Sequence, residues 1–136
     1  MVILGIDPGI AIVGYGIIEY KNNKFRVIDY GAVTTNANTP TDQRLALVYK
    51  GIDILIKNYN IDEVAIEELF FNKNVKTAIT VAQARGVIML ACTHNNKPIY
   101  EYTPLQVKQG VVGYGRAQKM QVQQMVTSLL KLKEIP

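Results

Sequence analysis

The feature that most narrows the fold is the opening run Val2-Ile-Leu-Gly-Ile6, which ends in Asp7 and is broken at once by Pro8-Gly9. A short run rich in Val, Ile and Leu reads as a buried strand, and a Pro-Gly step turns the chain sharply. Two more strand-like runs follow, Val13 to Tyr20 and Phe25 to Val33, separated only by the turn signal Lys21-Asn-Asn-Lys24. Parallel pairing needs a crossover of a dozen or more residues, so runs joined this tightly pair antiparallel. The chain is therefore committed to a three-stranded meander. A buried strand has no use for a charge, so Asp7 is either turn chemistry or a group held in place for a reaction.

Downstream the hydrophobic period changes. Thr39-Pro40 followed by Asp42 predicts a helix start with a capping side chain, a proline in the first turn and an early acid. Leu45, Val48, Ile52, Leu55 and Tyr59 then recur at steps of three and four, which places them on one helical face that covers the sheet. Asp62 to Leu69 returns as a fourth strand. After a helix-length connection it should pair parallel to the first. Val75 to Cys92 has the length of a helix and is apolar nearly all round, kept thin by Ala78, Ala82, Ala84, Gly86 and Ala91, so it needs cover on two sides. Pro98 to Tyr102 reads as a fifth strand and Gln118 to Leu132 as a last helix, with Val122, Met125, Val126 and Leu129 inward. The order βββαβαβα predicts an α/β fold, a mixed sheet with helices on its faces.

Charge divides the labour. Residues 1 to 68 hold six Lys/Arg and nine Asp/Glu, whereas residues 69 to 133 hold nine Lys/Arg and one acid, Glu101. A polyanion would bind the second half, and any carboxylate chemistry belongs to the first. The single thiol, Cys92, and the single histidine, His94, lack metal-site spacing and are read as a packing and a surface residue. No disulfide framework is available, which fits a reducing cytoplasm. The longest later apolar run, Gly86 to Cys92, is far shorter than a membrane span, and no membrane association is expected.

In the predicted sheet the first and fourth strands are central neighbours, and each ends in acid: Asp7 on one, Glu67 and Glu68 on the other. Side chains alternate faces, so only one of Glu67 and Glu68 can share a site with Asp7. Paired carboxylates repel unless a hard cation lies between them, and Mg²⁺ or Mn²⁺ held by Asp and Glu oxygens is a common means of attacking phosphodiesters. The alternative is that Asp7 only caps its turn and the glutamates are edge charges.

The hairpin GIDPGIAIVGYGIIE, the strand VAIEELFFNKN, the helix AQARGV and the run VKQGVVGYGRAQKMQVQ together resemble the RuvC family of bacterial Holliday-junction resolvases, in order and over essentially the whole chain. The resemblance implies an RNase H-like mixed five-stranded sheet, three strands antiparallel and then parallel, flanked by helices. It also implies a homodimer that cuts four-way junction DNA symmetrically with Mg²⁺, up to two ions per subunit and Mn²⁺ as a substitute, in DNA recombination and repair. The implied setting is the bacterial cytoplasm and nucleoid, with RuvA and RuvB as partners.

The family's first two catalytic and metal-ligating carboxylates fall on Asp7 and Glu67; Glu68 occupies a position that the family does not require to be acidic. The family's remaining ligands lie on a final helix after a motif like LLKLKEIP, and beyond Glu101 the sequence holds only Glu134. The expectation is a single nuclease domain over residues 1–136 without that catalytic helix, which binds junctions and cleaves them poorly.

For DNA contacts, the glycine-rich loop from Gly110 to Arg116 leads into a helix start whose backbone amides favour phosphate. Lys108 and Lys119 match the family's basic positions near the cut, and Arg116 lies beside them. Phe70-Phe71-Asn72-Lys73-Asn74 follows the catalytic strand. Alternation alone would accept either ring as an exposed wedge, and the resemblance selects Phe70 as the base-contacting aromatic, flanked by Lys73 and Lys76. A dimer interface is expected on the thin helix at Ala78, Ala82 and Arg85.

Three rival readings remain. A Gly-Ile-Asp-x-Gly hairpin also opens the sugar-kinase and actin-like ATPases, which need a second similar domain to close on nucleotide. A smaller RuvC-like group suspected of RNA processing shares the hairpin, and FFNKN and GYGRAQKMQVQ favour the DNA resolvase. A non-catalytic junction-binding module is the third.

Overall fold

The strand-like runs become one sheet. The computed structural model describes residues 1–68 and 75–107. In chain order these form β1 (Val2–Asp7), β2 (Ile12–Lys21), β3 (Lys24–Thr34), α1 (Thr41–Asn58), β4 (Glu63–Glu67), α2 (Val75–His94) and β5 (Ile99–Tyr102). The strand order is β3-β2-β1-β4-β5. The meander is antiparallel throughout, and β4 and β5 then add parallel to β1 and to each other. Asn22 and Asn23, at φ 53° and 60°, make the β2–β3 turn. Asparagine tolerates this left-handed conformation, and two such residues in succession match the strand twist.

Alternation along the strands sorts the two faces of the sheet. On one, Leu4, Ile6, Val13, Ile17, Val64 and Ile66 join Val48, Ile52, Leu55 and Ile56 of α1 and Ile88, Ala91 and Cys92 of α2 in a single core. Each fully buried Leu or Ile contributes about 1.5 to 3 kcal/mol. Burial also pushes the Cys92 thiol up to about 11, so it packs as an inert apolar group. The helices are tied together at one end, where Asn95 donates to Asp53 at 2.8 Å and Tyr49 meets His94 Nδ1 at 2.6 Å. The Asn95 bond and the Lys57 ion pair hold the Asp53 carboxyl below its ordinary value.

The expectation of helices on both faces is met on one face among the described residues, because α1 and α2 lie on the same side of the sheet. The expected helix from Gln118 to Leu132 lies outside those residues. The opposite face carries a lateral row, Tyr30, Gly16, Gly5, Ala65 and Tyr100, paired strand to strand. Its middle is almost bare backbone.

One further expectation is corrected. No side chain caps α1: Pro40 itself occupies the cap position at φ −55° and ψ 145°, and Thr39 instead donates its backbone N–H to Asn36. Proline's fixed φ serves the entry to the helix, which displaces the capping residue. In addition, α2 is a continuous 20-residue helix whose length and composition alone would suffice to cross a membrane. It buries Ala84, Ile88, Ala91 and Cys92 in the core, and its other side exposes Val75, Ile79 and Leu90.

Candidate active site

Asp7 closes β1 and Glu67 closes β4, the parallel neighbours at the middle of the sheet. The register pairs Ile6 with Ile66, so one residue further on the two acids fall side by side. Alternation sends both away from the helix-covered face, and adjacent strands lie only about 4.8 Å apart. Glu68 is excluded by the same parity. Its backbone N–H is taken by the Tyr102 carbonyl at 2.7 Å, which carries the β4–β5 pairing to the rim of the site.

The two carboxylates line an open cleft of about 590 Å³ whose other lining residues include Gly14, Gly16, Tyr102 and Val107. Gly14 pairs with Asp7 across β2 and Tyr102 pairs with Glu67 across β5. The turn that sets Asp7 is stitched down from behind. Thr35 bonds Ala11 through its backbone and Ile10 through its hydroxyl, and Arg44 of α1 donates to that hydroxyl at 2.9 Å. The meander, the turn and α1 therefore share one hydrogen-bonded knot.

As a donor set, Asp7 and Glu67 supply hard oxygen ligands from two strands. Among the described residues no group of three or more His, Cys, Asp or Glu gathers where it could hold a metal. Mg²⁺ is commonly held by one or two carboxylates, with waters and substrate phosphates completing the octahedron. The pair fits that ion.

The other site expectations are distributed unevenly. Lys76 stands exposed in the first turn of α2. Ala78 is half-buried and Ala82 is exposed. Arg85 is turned back into its own chain, bonded to Glu101 at 2.7 Å with its side chain 18% exposed. It lies a quarter turn round the helix from its most outward positions, on the side towards β5. Phe70, Lys73, Lys108, Arg116 and Lys119 lie outside the described residues.

Sequence reasoning missed Tyr102 and the bare floor at Gly14 and Gly16. The signals were the alternation in Ile99-Tyr-Glu-Tyr102 and the Gly14-x-Gly16 spacing opposite Asp7.

Comparison with known proteins agrees with this geometry. The family profile described as "Crossover junction endodeoxyribonuclease RuvC" matches residues 3–136. The protein of that name from Clostridioides difficile (strain 630) is 80% identical over 136 residues, covering 100% of this chain and 80% of that one. Its counterpart from Alkaliphilus oremlandii is 62% identical, covering 100% and 83%. Among solved structures, Thermus thermophilus RuvC in complex with Holliday junction substrate superposes with a TM-score of 0.94 at 35% identity, over 100% of this chain and 83% of that chain. The five-stranded mixed sheet is the RNase H-like arrangement that the resemblance implied. With the family profile matched from the first strand to the last residue, the chain belongs to the RuvC family of crossover junction endodeoxyribonucleases.

Proposed function

We propose that this protein is a structure-selective endonuclease that resolves Holliday junctions in DNA recombination and repair. The observation that carries the reading is the parallel β1–β4 register, which sets Asp7 and Glu67 side by side over one cleft. Two carboxylates repel a phosphodiester, so the arrangement makes chemical sense only with a cation between protein and DNA. Bound there, Mg²⁺, or Mn²⁺ in its place, would neutralise the scissile phosphate and lower the pKa of the attacking water. The chain's own part is to hold the carboxylates at fixed separation, to offer the open cleft to the strand, and to keep the helix-covered face dry. The test is Mg²⁺-dependent nicking of a labelled four-way junction, slow for residues 1–136 by themselves because Asp7 and Glu67 are two ligands where the family has more, with paired nicks at symmetric positions expected and a linear duplex spared. Equal cutting of junction and duplex would overturn the reading.

The homodimer is supported by the outward stripe of α2. Val75, Ile79, Ala82, Gly86 and Leu90 recur at helical steps, and Val75, Ile79 and Leu90 are 70%, 57% and 48% exposed. Ala82 and Gly86 at its middle allow close approach of a second helix. A Cβ added at Gly86 meets nothing within 4 Å. Gly86→Arg is therefore expected to fold, with a helix-propensity gain of up to ~1 kcal/mol. It should nevertheless raise the dimer dissociation constant by about 100-fold. Sedimentation and thermal melting check this together, and a stable dimeric Gly86→Arg protein would rule the stripe out.

Lys73, Lys76, Lys108, Arg116 and Lys119 are assigned to the DNA, and Phe70 to an unpaired base beside the cut. For Lys119→Ala, the slope of log affinity against log salt should flatten by about 0.9 if one phosphate contact is lost. An unchanged slope removes Lys119 from the interface. RuvA and RuvB as partners, and a cytoplasmic, nucleoid-associated location, are part of the same proposal and rest on the family resemblance alone.

A further inference from the structure

Edge strand β5 turns Glu101 to the helix-covered side of the sheet and Tyr100 and Tyr102 to the open side. Three restraints fix its end. Glu101 is held by Arg85 at 2.7 Å, and the Tyr102 carbonyl accepts the Glu68 N–H at 2.7 Å. The next residue, Thr103, exchanges reciprocal bonds with Gln106 at 2.9 and 3.0 Å, each side chain meeting the other's backbone N–H. Such a capping box locks the chain's path. Tyr102 cannot swing to the other face.

Its ring is thus a fixed wall of the cleft directly beside Glu67. It is 43% exposed, and its hydroxyl makes no hydrogen bond to any described residue. The rest of the described lining is poor in groups that could hold a nucleic acid strand: two carboxylates, apolar side chains, and a floor of Gly5, Gly14, Gly16 and Ala65. The lining's other phenol, Tyr15, points the opposite way, its hydroxyl crowded against Gly31. Among the described lining residues, Tyr102 is therefore the one side chain that can both pack on a nucleotide and donate to a phosphate oxygen.

We infer that Tyr102 is a substrate-contacting residue of the site: its ring packs on the nucleotide next to the scissile phosphate, and its hydroxyl donates to a phosphate oxygen of the same strand. The role rests on the nuclease reading above and adds to it. Stacking on an aromatic side chain fixes one nucleotide, and a hydroxyl bond fixes its phosphate; together they would set which phosphate faces the carboxylates.

The test is junction affinity measured by fluorescence anisotropy in EDTA, so that no cation or turnover contributes, alongside thermal melting. Tyr102→Ala should weaken junction binding about 10-fold, the scale of one lost stacking contact. Tyr102→Phe, which keeps the ring and the fold, should weaken it about 3-fold through the hydroxyl alone. A 2-aminopurine beside the expected cut should brighten in the Ala variant relative to the unsubstituted protein. Affinity equal to the unsubstituted protein in the Phe variant, with the Ala variant altered only in melting temperature, would mean that Tyr102 merely packs. If the unsubstituted protein shows no preference for a four-way junction over linear duplex, the functional reading fails first. If it does prefer the junction and both variants match it, only the role of Tyr102 is overturned.

Discussion

Asp7→Asn is expected to lower Mg²⁺-dependent nicking of a four-way junction by about 10³-fold or more, the effect of losing several kcal/mol of charge stabilisation. The substitution keeps the size and one oxygen of the side chain, and Asp7 sits exposed at the end of β1 beside Gly14, so packing gives no reason for the fold to suffer. What changes is charge. A neutral amide beside Glu67 leaves one carboxylate to hold a divalent ion, so calorimetric Mn²⁺ affinity should fall in parallel with nicking. Junction affinity without metal should hold or rise slightly, because one negative charge no longer opposes the phosphates. Glu67→Gln should behave alike, and Glu68→Gln should not, because parity turns Glu68 away. Nicking by Asp7→Asn at the unsubstituted rate would sink the assignment of the site.

Gly9→Ala should cost at least about 2 kcal/mol of stability, for a reason of space. A Cβ at Gly9 would run into the Ile12 carbonyl oxygen, which is backbone and cannot rotate away. Nor can the turn relax as a whole, since Ile10 and Ala11 are bonded to Thr35, and Thr35 to Arg44. The strain therefore reaches Asp7, two residues upstream, and nicking should fall by more than the unfolded fraction explains. Gly14→Ala is the control. Its Cβ would lie 3.7 Å from the Cβ of Asp7, an ordinary contact on the open side of the sheet. Denaturant melts of both variants decide the matter: Gly14→Ala near the unsubstituted midpoint, Gly9→Ala well below it. Similar midpoints would show that the turn has room to move.

Much of this arrangement was legible because it follows from local rules. The Pro8-Gly9 and Asn22-Asn23 turns forced the meander, and the helix-length connection before Asp62 forced β4 parallel. The alternation of Ala65-Ile-Glu-Glu68 left only one glutamate for Asp7. The cap of α1 was misread because Thr39 and Pro40 both carry helix-start chemistry, and only the backbone path decides which sits at the boundary. Arg85 resembled an interface residue in a helix apolar all round. Within the chain it pairs with Glu101, which comes from a strand that the helix sequence cannot specify. Tyr102 stayed hidden for a related reason: an alternating Tyr-Glu-Tyr gives two faces, and which one meets a carboxylate is fixed by the strand next door.

The pairing of β1 with β4 also bears on how the chain folds. Val2 and Asp62, bonded across that seam, are separated by 60 residues, whereas the meander and α1 are built from near neighbours in sequence. Contacts of long sequence separation carry the larger loop-closure cost and form late. The hairpins and the first helix can therefore take shape as the chain leaves the ribosome while Asp7 still stands alone. Asp7 and Glu67 meet only when this 60-residue separation closes, so on the proposed reading a nascent or partly unfolded chain offers DNA no paired carboxylates.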